Sequence, residues 1–285
     1  MQFPIFATAF EGLLLIRRRP LTLVYIAAVW FVIGLAMTLA PWAGSTPGQV
    51  NSMMGYGLIF LGMLLALTGS SILVYDPILR MAGRAKPLAA WPRAALFVFI
   101  LWAMVSIVAA AGLAGLAAVM AVAEQALLPA GAYISPIIRS SVGIGIGVVA
   151  ALAVGACLAC AGPIAFDRHR IGLVAAWRLS RGRVGRLLAT FTLTLIAVVL
   201  ISGGLSALRE ALAAGWLHEL GDRPGGGAPS AVAALAMEFT PNRLILSLMD
   251  AFISSLAMML MIAPGARLYA AVAEETPQSR AAVFD

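Results

Sequence analysis

Between residues 20 and 75 the chain carries no Asp, Glu, Lys or Arg, and similar long uncharged stretches recur towards its end. This restricts the fold more than any other feature. A helix needs about 20 mostly apolar residues to cross a bilayer, whereas a soluble domain is ordinarily about 25% charged. Here the charged fraction is 11% and the hydrophobic fraction 62%. Inside hydrocarbon every backbone amide must be bonded within the protein, which leaves helices or a closed barrel. Barrel strands alternate polar and apolar residues over about 10 positions, but residues 96–123 and 142–166 are apolar or small on every face. The expected fold is all-α, a polytopic membrane protein.

Charges and turn residues place six spans near 21–40, 56–75, 94–122, 140–166, 187–208 and 244–266, within a single membrane domain over 1–285. The net charge of +7 raises the question of a nucleic-acid partner, and the positions of the basic residues answer it. Alternate loops hold Arg17, Arg18, Arg19, Arg80, Arg84, Lys86, Arg93, Arg168, Arg170, Arg178, Arg181, Arg183, Arg186, Arg267 and Arg280. The remaining loops hold only Arg139, Arg209, Arg223 and Arg243. That asymmetry is the positive-inside pattern. It puts the larger set and both termini in the cytoplasm and leaves no case for nucleic-acid binding. Cys157 and Cys160 fall near the cytoplasmic end of a span, so no extracytoplasmic disulfide framework is expected. The apolar segment after Arg19 outruns an ordinary signal-peptide core, and Pro41-Trp42-Ala43 is a poor cleavage site, so the first span is expected to stay attached.

The spans pair into three hairpins. Each is preceded by a stretch mixing apolar and basic residues, 3–19, 86–93 and 171–186, as in helices lying on the inner leaflet. Each ends in a proline closely followed by arginine: Pro77 with Arg80, Pro163 with Arg168, Pro264 with Arg267. Proline removes a backbone donor, so each returning helix is expected to bend or end there. Either these are three copies of one unit or three hairpins with ordinary loops. The outer segment 209–243 has room for two interfacial helices, the first over 208–220.

Along the fourth span Gly143, Gly147, Ala151, Gly155 and Ala159 fall four apart and form a small-residue ridge for close helix packing, within the chain or against a second subunit. Asp250 lies about two turns inside the sixth span, where a carboxylate is costly. It is either an ion or proton site or a shallow charge paired with Arg243. Glu11 is expected to pair with one of Arg17 to Arg19, and Asp76 to be a helix-end charge beside Arg80. His169 and His218 fall on opposite sides of the membrane, and Cys157-Leu158-Ala159-Cys160 has no second pair, so no metal site, cofactor or catalytic constellation is expected.

The segment 172–186 contains Trp177, Leu179, Ser180, Arg181 and Gly182 in the order Trp-x-Leu-Ser-Arg-Gly, after an alanine-rich run and the acidic Asp167. It resembles the cytoplasmic loop of bacterial membrane domains related to the membrane domain of glycerophosphodiester phosphodiesterases. Ala176 and Gly185 depart from that pattern, where a polar and an aromatic residue are usual. The resemblance implies a helical module of the bacterial inner membrane and no phosphodiesterase chemistry, which belongs to a separate soluble barrel. Beside Trp177, the side chains of Arg178, Arg181, Arg183 and Arg186 either mark orientation alone or hold anionic lipid headgroups. The expected function is a non-enzymatic scaffold or accessory subunit touching anionic lipid, with a membrane-protein partner or a second copy as a further contact. The rival is a transporter or channel using Asp250.

Overall fold

The computed structural model describes residues 4–39, 52–84, 86–127, 152–181, 183–216 and 239–274. Among these the secondary structure is helical throughout, without strands. Two short helices, α1 (Ile5–Ala9) and α2 (Glu11–Arg18), precede α3 (Pro20–Leu39) and α4 (Ser52–Met81). A single 3-10 turn at Leu88–Ala90 leads into α5 (Trp91–Leu127). Then come α6 (residues 152–158), α7 (Ala161–Arg168), α8 (Leu173–Ser180), α9 (Val184–Gly215) and α10 (Pro241–Glu274).

Four of these segments are individually long and apolar enough to cross a membrane: Gly57–Met81, Leu88–Gly112, Val184–Gly215 and Pro241–Val272. A fifth arises if α2 and α3, bent by 104° at Arg19, count together. Six spans are therefore not what the described residues contain. Residues 140–151 of the expected fourth span, with Gly143, Gly147 and Ala151, lie outside them. Large apolar side chains remain exposed along the outer helix faces, among them Val24 and Val32 on α3, Ile107 and Val108 on α5, and Val199 and Leu200 on α9. In water so much apolar surface would be an aggregation liability. Against acyl chains it is the ordinary lining of a helical membrane protein.

Helix α10 is the axis of the packing: α1, α2, α3, α4, α7 and α9 all rest against it, and α5 packs on α4 and α7. Two polar contacts tie α4 to its neighbours. Adjacent residues Ser70 and Ser71, both fully buried, accept hydrogen bonds from Trp30 Nε1 of α3 at 3.0 Å and Trp102 Nε1 of α5 at 2.9 Å. In lipid, helices gain little from hydrophobic burial, so such interhelical bonds and close contacts carry more of the association.

Several expected boundaries move. Residues 5–18 form two helices broken at Phe10, and one face of them is buried: α1 packs on α9 and α2 on α10, covering Thr8, Ala9, Glu11, Gly12 and Leu15. Gly12 makes this possible, because a Cβ there would come within 2.8 Å of Leu260 Cα and of the Met259 carbonyl oxygen. With that face turned inward, Glu11 meets Arg267 of α10 at 3.9 Å, and Arg18 also acts on its carboxyl electrostatically. The stretch 86–93 forms no interfacial helix, since Pro87 and the 3-10 turn pass directly into α5. Beyond Leu208, α9 runs on unbroken to Gly215, so the amphipathic segment starts as a continuation of the span; residues 217–238 lie outside the described set.

The three prolines act differently. Both α4 and α10 continue through Pro77 and Pro264. At Pro163 the chain instead breaks, with a turn at Ala159 and Cys160 between α6 and α7. Pro163 has no N–H to offer the Ala159 carbonyl. That oxygen is approached by the backbone at Gly265, where a Cβ would overlap it.

Candidate functional site

The arginine-rich ends of the helices gather into two adjoining features. The first is a clasp around Asp167, the penultimate residue of α7. Arg84, three residues beyond α4, donates from Nη1 to Asp167 Oδ2 at 2.6 Å, and Tyr269 of α10 donates its hydroxyl to the same oxygen at 2.7 Å. Arg84 also reaches the Tyr269 hydroxyl at 3.3 Å, with its guanidinium 5.6 Å from the ring centroid. Lys86 donates to the Asp167 backbone carbonyl, lies 3.7 Å from Oδ1, and sits 3.2 Å from His169 Nε2. These side chains are largely buried, with Arg84 20%, Lys86 18% and Asp167 12% exposed.

One polar group comes from the end of each expected hairpin: Arg84 after the first, Asp167 at the close of the second, Tyr269 at the close of the third. His169 caps α7 in the left-handed region at φ 52, which reverses the chain towards α8. An ammonium can only donate, so a hydrogen bond from Lys86 to His169 Nε2 requires the imidazole tautomer with its proton on Nδ1. Burial first, then the positive charges of Lys86 and Arg93, hold this imidazole below its ordinary pKa, against the opposing pull of Asp167.

The second feature is α8, which follows directly. Its inner face is Gly172, Ala176, Leu179 and Ser180, at the spacing of one helical stripe. Gly172 lies where a Cβ would collide with Ile164 at 2.5 Å, and Ser180 Oγ, fully buried, lies 2.9 Å from the Cys157 carbonyl and 3.0 Å from that of Ala176. The outer face is Val174, Trp177, Arg178 and Arg181, again at i, i+3, i+4 and i+7, all exposed. Among the described residues neither Arg178 nor Arg181 has a carboxylate partner. Thus Leu179 and Ser180 of the sequence motif anchor the helix, while Trp177, Arg178 and Arg181 are displayed by it.

The other residues singled out from sequence are spread more widely. Arg183 stands at the N-terminus of α9, close enough to act electrostatically on Cys160, and Arg186 is half-buried in the first turn of α9. Of the small-residue ridge, Ala159 meets Gly265, and Gly155 has open space where a side chain would stand. Asp250 pairs with Arg209 of α9 at 2.9 Å rather than with Arg243, and it is 53% exposed. Asp76 binds Arg80 at 2.6 Å, four residues on. Among the described residues no three His, Cys, Asp or Glu side chains converge as metal ligands. The clasp escaped the sequence reading apart from Asp167, which stood out only through the resemblance. No known protein family, curated protein or solved structure matches this chain.

Proposed function

We propose that this protein is a non-enzymatic scaffold or accessory subunit of a bacterial inner membrane that holds anionic phospholipid headgroups on α8. In this reading six spans form three hairpins with both termini in the cytoplasm, and the clasp ties the hairpin ends together beneath the lipid layer. The observation that carries it is the outer face of α8: an exposed tryptophan and valine share one stripe with two exposed arginines. Indole and aliphatic groups favour the acyl boundary while guanidinium groups favour phosphate. The buried inner face holds that stripe rigidly, so lipid contact does not have to order it. The likeness of Trp177 to Gly182 to the bacterial membrane-domain loop supports the same assignment.

The rival reading, transport through a path centred on Asp250, loses some of its motivation. Its carboxylate is already neutralised by Arg209.

The test is lipid content. Each basic residue near an anionic surface contributes about 1 kcal/mol, so Arg178→Ala with Arg181→Ala removes about 2 kcal/mol, near a thirtyfold loss in affinity. Purified from the same membranes, the double variant should carry much less phosphatidylglycerol and cardiolipin than the wild type. Equal anionic lipid in both preparations would refute the assignment.

A further inference from the structure

The turn that carries the chain from α7 into α8 brings a histidine against a lysine. His169 stands there at φ 52, a left-handed conformation that a residue with a Cβ adopts only at a cost. Its Nε2 lies 3.2 Å from Lys86 Nζ, and the same ammonium donates to the carbonyl oxygen of Asp167, two residues earlier. Three residues after His169, Gly172 opens α8 with no room for a Cβ beside Ile164, so the position of the turn sets that of the helix. Most of the charge around the imidazole is positive. Arg84 and Lys86 come from the connection after α4, Arg93 from α5, and Arg168 and Arg170 flank the histidine in sequence, with Arg168 bonded to Tyr269 of α10. On α4, Asp76 and Arg80 pair with each other, and α8 turns Arg178 and Arg181 outward. Among the described residues Asp167 is the carboxylate that acts on the ring, and its Oδ2 is already shared by Arg84 and Tyr269.

We propose that His169 is a pH-sensitive latch on the α7–α8 turn: while neutral it accepts a hydrogen bond from Lys86 and keeps the turn closed, and on taking up a proton it parts from Lys86 and releases the start of α8. An ammonium has no lone pair, so the contact exists only while Nε2 is unprotonated. A proton on Nε2 removes the acceptor and sets two like charges side by side. Lys86 stays bound to Asp167 through both its charge and its backbone carbonyl, so the imidazolium is the partner that moves, and the left-handed turn moves with it. Burial first, then Lys86 and Arg93, disfavours that proton in the folded chain relative to the ordinary imidazole value of 6.5. The folded state therefore binds it more weakly than the unfolded state. The contribution of the latch to stability is complete above that ordinary value and is lost as the pH falls through the lower folded-state pKa. The latch follows from the clasp geometry and stands whether or not α8 holds lipid.

The chain has two histidines, so the full-length His218→Gln protein with isotope-labelled histidine reports the titration of His169 alone by NMR in detergent. His169 should take up its proton below the ordinary imidazole pKa, and Lys86→Gln in the same background should raise that pKa. Amide exchange over residues 173–180, corrected for the intrinsic effect of pH, should quicken in the wild type as the pH falls from about 8 to about 5. It should not quicken in His169→Asn, which is neutral throughout and tolerates the left-handed turn. A His169 pKa at or above the ordinary value overturns the latch even if Lys86→Gln fails to fold. An unmoved pKa in folded Lys86→Gln protein overturns the part given to Lys86. Equal acid sensitivity of α8 in wild type and His169→Asn overturns the coupling of the turn to the helix.

Discussion

Asp167→Ala is expected to destabilise the folded protein by about 3 kcal/mol, because removing one member of a largely buried ionic cluster leaves its partners uncompensated. The carboxylate is the shared acceptor for Arg84 and Tyr269 and the counter-charge for Lys86, all within one network. Without it two cations and a hydroxyl face each other at low exposure. Asp167→Asn keeps an acceptor for Tyr269 but discards the charge, so its loss should be intermediate. Asp76→Ala is the control: Asp76 is as buried as Asp167, at 12% exposed, but its ion-pair partner is Arg80 on the same helix, 38% exposed, and such i,i+4 pairs contribute about 0.5 kcal/mol or less. Thermal unfolding in detergent, followed by the loss of monodisperse protein, should rank the variants wild type, Asp76→Ala, Asp167→Asn, Asp167→Ala. A melting point for Asp167→Ala equal to that of Asp76→Ala would mean that the clasp does not hold the helix ends.

Two glycine substitutions separate close packing from helix propensity. Within a helix, Gly→Ala ordinarily gains about 1 kcal/mol, and Gly204 of α9 has open space for the new methyl. Gly204→Ala should therefore leave stability unchanged or raise it. Gly265→Ala should do the reverse. Its methyl would overlap the backbone carbonyl of Ala159, which cannot rotate away as a side chain would. Overpacking of that kind costs about 1–3 kcal/mol, and the displaced segment is the break between α6 and α7 that leads directly to Asp167. The same detergent melts measure both variants. If they shift in the same direction, the approach of α10 to Ala159 is not as close as described.

These cases also indicate what the sequence could reveal. The absence of charge over residues 20–75 made the apolar helices legible, since a long uncharged run has few other stable solutions. The display of Trp177, Arg178 and Arg181 was partly legible too, because helical periodicity puts them on one stripe whatever lies beneath. The clasp was not. Arg84 and Asp167 are 83 residues apart and Asp167 and Tyr269 102 apart, and nothing local in any of the three segments encodes the meeting. Glu11 misled for a related reason: next to Arg17, Arg18 and Arg19 it reads as a surface charge, whereas Gly12 beside it admits the α10 backbone and turns that face inward. Asp250 was correctly placed within a long apolar helix, but its partner lies on α9, 41 residues away in sequence. Local pattern determined which residues are helical, and long-range contact determined which polar groups are paired.

In the proposed function the outer face of α8 rests in the lipid headgroup layer. Val174, on that face and 67% exposed, can report it directly. A nitroxide is attached at Val174→Cys in a chain whose Cys157 and Cys160 are replaced by alanine, and the protein is reconstituted in nanodiscs with or without phosphatidylglycerol. The label should be more accessible to oxygen than to a water-soluble nickel chelate, with the difference growing when the anionic lipid is present and shrinking when Arg178 and Arg181 are alanine. A label equally open to the nickel chelate in every bilayer, as on a helix standing in water, would contradict it.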